Sequence, residues 1–344
     1  MSLCLAVIAV GIALRQADRV WAARGCPRAA RASELIALQR SRATNWAPTL
    51  LLTGQWLQIA GWWLLAAQGP LPSAVAAVGV AVQFRHLQEI SHFAVHGVLA
   101  RTAAANRLLG EAFAHLPLGL SPIAVRRRRH VREHHPNATL ASDPNRAELR
   151  EAGLTPGTAR LQFAVALLFP LTPRGLRTTV TTLAANVYRS PGRMAALAAV
   201  LAAADMAGGP AAVVFGVLVP RLLLYPQLAH LSLLVEHIWF DPEPRTGSPA
   251  EVEAGRCLRL YPHRRLLAAL ASATWLPYGD LYHYAHSTHP SVRWNYLPAL
   301  ERSLAPPHFT PSALLWGRGS VMRRHRDALS RLEPTALVTS MHTS

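Results

Sequence analysis

Apolar and polar positions fall in long blocks along this chain, without the short alternation that marks half-buried strands. Thr49 to Gln68 (TLLLTGQWLQIAGWWLLAAQ) carries no charge over a length that suits a crossing of the hydrocarbon core. After the turn Gly69-Pro70-Leu71-Pro72, a second apolar run covers Ser73 to Phe84. If its helix continues through Arg85 it leaves the membrane near Ile90, so that His92 emerges at the interface. A second pair follows the same plan: Met194 to Ala207, a break at Gly208-Gly209-Pro210, then Ala211 to about Leu228. Asp205 and Arg221 are costly in lipid and are expected to lie near an end, face protein or snorkel. Leu161 to Leu171 and Leu266 to Leu276 are apolar but too short to span, and read as interfacial or buried helices. Gly97 to Val125 carries Arg101, Arg107 and Glu111 and is expected to lie along the membrane surface.

The pattern predicts an all-α integral membrane fold of about four transmembrane helices in two hairpins, under a cytosolic helical cap. Three regions follow: an apolar and arginine-rich segment over 1–45, a membrane domain over 46–304, and a C-terminal cytosolic tail over 305–344. Ser2 to Leu14 is apolar but lacks a basic leader region and a small-residue cleavage site before Arg15, which argues against a signal peptide. An interfacial anchor, an extra span and a misassigned start remain open for it.

Composition agrees. Hydrophobic residues make up 51% and charged residues 15% of the 344, with a mean hydropathy of +0.17, too apolar for a polar-shelled soluble protein. The net charge of +17 comes entirely from arginine, since no lysine occurs. With the abundant alanine, this points to a GC-rich bacterial coding sequence. A nucleic-acid binder would add a recognition helix or a basic groove interleaved with aromatics; neither is present. Arginines fill the connecting segments, including Arg126 to Arg129, Arg174, Arg177, Arg189 and Arg193, and are missing from both hairpin turns. The positive-inside rule therefore puts the connections in the cytosol, across a bacterial inner membrane. Cys4, Cys26 and Cys257 form no CxxC pair and are expected to stay reduced.

That topology sorts the histidines. His92 and His96 follow the first hairpin; His130, His134 and His135 lie between the hairpins; His283, His286 and His289 follow the second. An even number of spans separates these groups, so all face one side. His92 with His96, and His130 with His134, stand i, i+4 on a helix, so each pair can offer two imidazoles to one centre, with His135 turned by about 100°. A lone HxxxH is a weak signal, more often structural than ligating. Three such groups on one face change the reading to a shared metal site, because clustered buried imidazoles without a metal would be left with unmet hydrogen-bonding capacity. Several neutral imidazoles with few thiols suit iron, copper or zinc, and their number suggests two metals.

With these residues in view, the chain resembles the membrane fatty acid desaturase superfamily over roughly Gln83 to Leu304. The first histidine box is read in RHLQEISHFAVHG, followed by NRLLGE; the second in RRRRHVREHHPNATLASDPN; the third in YHYAHSTHPSVRWNYLPAL. The resemblance implies a non-haem di-iron centre held by His92, His96, His130, His134, His135, His283 and His286, with His237 as the extra histidine before the third box. It implies an oxidoreductase that uses dioxygen on C–H bonds: a desaturase of a fatty acyl or similar lipid, or a hydroxylase or ketolase of a lipid, terpenoid or carotenoid. A non-catalytic metal-binding membrane protein and an inactive family member are the rivals. No haem-binding, CxxC or GxGxxG module is fused to the chain, so an external donor such as a ferredoxin or a cytochrome is implied. The acyl substrate is free or carrier-bound.

One departure stands out: aligning the proline of the third box puts Ser287 on its last histidine. His289 is the expected replacement from a shifted position; a site with fewer histidines, or altered or lost activity, are the alternatives. A smaller departure is Phe93, where many relatives carry an acidic residue. Glu133, Asp143 and Glu236 are candidate acceptors that orient imidazoles. A structural role is expected for His86, and His230 is left out of the ligand set. His115, His263, His308, His325 and His342 have no motif context and are expected to be solvated or interfacial. Arg126 to Arg129 read first as headgroup contacts and second as a steering patch for an acidic carrier. Trp294 and Tyr296 are candidates for lining a substrate tunnel or for interfacial belt residues.

Overall fold

The computed structural model describes residues 1–41, 46–243, 246–261, 264–277 and 279–332. It is all-helical, and among the described residues the only extended pairing is in isolated bridges such as His237 with Cys257. The helices are α1 (Ser2–Ala23), α2 (Ala32–Ser41), α3 (Ala47–Ala66) and α4 (Pro70–His96). Next come α5 (Ala103–Leu118) and α6 (Ile123–Asn137), α7 (Pro144–Glu151), α8 (Arg160–Leu167) and α9 (Pro173–Val187). The long run α10 (Pro191–Glu236) precedes α11 (Pro249–Arg256), α12 (Arg265–Ala273), α13 (His283–Thr288), α14 (Leu297–Glu301) and α15 (Val321–Arg331).

The first predicted hairpin forms as α3 and α4. Proline is tolerated in the first turn of a helix, where its missing N–H has no partner to lose, so α4 starts at Pro70 itself, inside the predicted turn. It then runs for 27 residues to His96, about 40 Å at 1.5 Å per residue. Gly97, at φ 75°, ends it in the left-handed region that glycine enters freely. In α10 the predicted break is present: Gly208 and Gly209 leave helical geometry, Gly209 at φ 62° and ψ −161°. Trp63 of α3 closes on this bend, its Nε1 donating to Gly216 O at 2.9 Å, while a Cβ on Gly208 would meet Trp63 O. Arg221 faces protein, donating to Leu118 O, and Asp205 is exposed near the bend.

By length and apolar composition, α10 can cross a membrane, and the α5–α6 pair passes the same test as one unit bent by 105°. A bend of that size fits a chain that turns back rather than one running straight through. The short apolar helices α8 and α12 keep exposed faces, with Leu161, Val165, Leu266 and Leu270 all more than half exposed. The N-terminal stretch is a helix sealed onto α3: a Cβ on Gly11 would lie 2.6 Å from Gly54 O, and one on Gly54 would lie 2.7 Å from Gly11 O. Backbones meet there because neither residue has a side chain.

Two main apolar cores result, beside a small cluster of Ala254, Cys257 and Tyr284. One joins α3, α4 and α10 with Trp294 and Tyr296; the other packs Leu234, Trp239 and Leu258 with Val321, Met322 and Leu329. Through residue 332, the segment after residue 305 packs into this second core. His325, expected at the surface, is fully buried in this second core and donates from Nε2 to Leu234 O at 2.8 Å. Burial holds its pKa down to about 4. A histidine depressed in the folded state is neutral there but takes up a proton when unfolded, so stability falls as pH drops from about 6.5 toward about 4, by up to about 1.4 kcal/mol per pH unit. His325→Leu is expected to flatten the acid limb of a melting-temperature profile. His115 is likewise buried, bonded to Ser91 Oγ at 2.8 Å. His308 is exposed beside Glu243, as expected, and His263 and His342 lie outside the described residues.

Candidate metal centre

Eight of the nine predicted ligands converge. His92, His96, His130, His135 and His286 form one group, and His134, His237 and His283 a second, with the ligand atoms of each group all within 4.8 Å of one another. In the first, His92 Nε2 lies 2.7 Å from His130 Nε2 and 3.1 Å from His96 Nε2, and His135 Nε2 lies 3.2 Å from His96 Nε2. In the second, His283 Nε2 lies 3.1 Å from His237 Nε2. The groups adjoin through neighbours in sequence: the rings of His134 and His135 are 5.6 Å apart, and those of His283 and His286 5.8 Å.

The sharing within the second box differs from the expected i, i+4 pairing. His130 joins His135, while His134 turns to the other group. The cause is local: Arg128 to His134 is a π-helix, whose i→i+5 bonding brings residues five apart into line. One widened turn thus lets a single HxxxHH motif serve two centres.

Carboxylates fix the rings. His134 Nδ1 donates to both oxygens of Asp143, at 3.0 and 3.1 Å, and Asp143 also accepts from the backbone N–H of Thr139 and Asn145. His92 Nδ1 donates to Glu89, 3.1 Å from each oxygen. A carboxylate acceptor puts the proton on Nδ1 and leaves the Nε2 lone pair aimed into the cluster. His134 Nε2 and His286 Nε2 are buried with no hydrogen-bond partner. Burial also holds His237, His283 and His286 well below the usual histidine pKa, which favours neutral rings. Converging lone pairs without protons repel unless a cation lies between them, so these residues fit metal ions. Asp143→Asn offers a donor where an acceptor is needed and is expected to weaken metal binding on the order of 10–100-fold, read by chelator titration.

His237 is placed by the end of α10. It leaves helical geometry at φ −137°, ψ 163°, and the neighbouring Ile238 N–H donates to Arg256 O. Behind its ring, Cys257 Sγ lies 3.3 Å from Nδ1 and 3.3 Å from Glu253 Oε2. Arg256 bonds Glu253 and donates to His135 O at 2.9 Å, tying α11 to both groups. The sequence alone gives Cys257 and Glu253 no part in the site, because they act across a non-local contact. Glu89 had a signal, lying three residues before His92 on the same helix face.

Other expectations sort as follows. His289 stands in neither group and is only partly buried at the end of α13; Ser287 Oγ lies instead 3.3 Å from His283 Nε2. Glu133 pairs with Arg128 at the surface and does not orient a ring. Glu236 belongs to neither group. His86 is structural, held by Arg15 at 2.7 Å and Thr274 O at 3.1 Å, and His230 bonds Ala166 O. Arg126 and Arg127 are used internally, donating to Ser91 Oγ and Val95 O of α4. Phe93 stacks on Trp294 with ring centroids 3.9 Å apart, and Trp294 and Tyr296 are buried in the core.

Helices that bring three histidine motifs and one further histidine into two adjoining groups, one buried and one partly buried, define an all-helical protein with a histidine-rich centre able to hold metal. The chain belongs to the fatty acid desaturase family: the model of that family, Fatty acid desaturase, matches residues 61–313. That span takes in both groups of rings, and the family is one of oxidoreductases. No curated protein and no solved structure matches the chain.

Proposed function

We propose that this protein is an integral-membrane, di-iron, dioxygen-dependent desaturase of a fatty acyl chain or similar lipid. One observation carries the reading: the convergence of eight imidazoles, five buried and three half-buried, into groups of five and three, with Nε2 of His134 and His286 left without a hydrogen-bond partner. A set of this kind, without a thiolate among the ligands, suits iron, copper or zinc, and the family membership favours iron among them. Iron held there supplies dioxygen activation and removal of hydrogen from an unactivated C–H bond, with two electrons from an external donor such as a ferredoxin or a cytochrome. The chain's own residues hold and orient: Glu89 and Asp143 keep the Nδ1 protons of His92 and His134 in place, and the Glu253–Cys257 pair backs His237.

The apolar run α10 and the exposed apolar faces of α8 and α12 support membrane insertion, and we read the hairpin of α3 and α4 with the two arms of α10 as four spans in a bacterial inner membrane. The arginine-rich connections support a centre on the cytosolic side. Membranes carrying the protein, given a reductase system and acyl substrates, are expected to form an alkene. Hydroxylated product without alkene would replace desaturation by hydroxylation on the same centre.

A further inference from the structure

Resting on the metal-centre reading above, we propose that Ser287 leaves an open coordination position at the three-histidine group, accessible to a small nitrogen- or oxygen-donor ligand such as azide or imidazole. The two groups are unequal. Five rings surround one position and three the other. Ser287 stands where the family's third box carries its last histidine, and its side chain points to the smaller group, with Oγ 3.3 Å from His283 Nε2. The residue is itself buried, at 8% exposure. A neutral serine hydroxyl is a poor ligand, and it is far shorter than a histidine.

Nothing else in the described chain fills the gap. No carboxylate or thiol joins His134, His237 and His283 as a ligand. Cys257 sits behind His237, against Nδ1, and the nitrogen facing the group is Nε2. His289 is outside the group. His134 Nε2 is buried without a hydrogen-bond partner and aims into it. Three protein ligands with a vacant fourth place are the arrangement of metal sites that accept an outside ligand, whereas closed sites hold their metal with a full set.

The test uses the full-length protein in detergent, stripped and reloaded with Co(II), whose visible spectrum reports coordination. Wild type is expected to bind two cobalt ions in unequal classes, with azide shifting the spectrum of one ion per chain. Ser287→Ala is expected to behave as wild type. Ser287→His is expected to tighten the weaker class and to weaken azide binding, each on the order of 10–100-fold. Two equivalent cobalt ions with no azide response in wild type would overturn the inference and leave the metal centre standing. So would loss of the weaker class in Ser287→Ala, which would make the hydroxyl a ligand. Should Ser287→His fail to fold, the azide titrations of wild type and Ser287→Ala decide the matter. Failure to bind cobalt at all would overturn the metal-centre reading and this inference with it.

Discussion

His134→Ala is expected to abolish turnover and to remove one metal ion per chain, while the ion of the five-histidine group stays bound. His134 supplies one of only three rings in its group, and its loss leaves two, too few to hold a metal against buffer. The deleted ring also frees Asp143, whose carboxylate would keep only its two backbone N–H donors. His289→Ala is the matched control. It lies outside both groups, so metal content and turnover are expected to match wild type. The opposite pattern, with metal lost on changing His289 and kept on changing His134, would refute the assignment of rings to groups. Metal per chain and product formed, measured on the same preparations, separate a lost ligand from a lost fold.

Arg85→Met is expected to destabilise the protein by about 3–5 kcal/mol, the range for removing one partner of a buried ion pair. Arg85 is almost wholly buried on α4 and bonds Asp280, with Ser232 Oγ at 2.7 Å and Glu89 at 3.8 Å. Without it, two buried carboxylates face each other with no cation between them. Glu89 also orients His92, so the damage reaches the five-histidine group. The double variant Arg85→Met, Asp280→Leu is expected to recover part of the lost stability, because the second change removes one stranded charge. Thermal unfolding checks both. Equal melting temperatures for Arg85→Met and wild type would show that the network adds nothing to stability.

Much of this was legible in the sequence because it is written locally. The glycine pair and proline at 208 to 210 break a helix wherever they occur, and they do so here. Gly97 ends α4 directly after His96, and His237 closes α10 as the family pattern implied. The three histidine motifs announced the centre, since their chemistry resides in the residue types themselves.

What stayed hidden depends on contacts between distant segments, or on a departure from ideal geometry. The i, i+4 rule assigned His130 and His134 to one centre, and the π-turn over Arg128 to His134 reassigned them. Cys257 looked like a stray thiol until the bridge from His237 brought it behind that ring. His115 and His325 lack motif context and are expected to be solvated or interfacial, yet each finds a buried partner far along the chain or across a turn. The arginines at 126 and 127 read as surface charge, while their side chains reach back to α4.

The central claim is that these eight histidines hold two iron ions. Elemental analysis of the purified, well-folded protein tests it most directly. The account predicts two equivalents of iron per chain; one equivalent of zinc with no iron would contradict it.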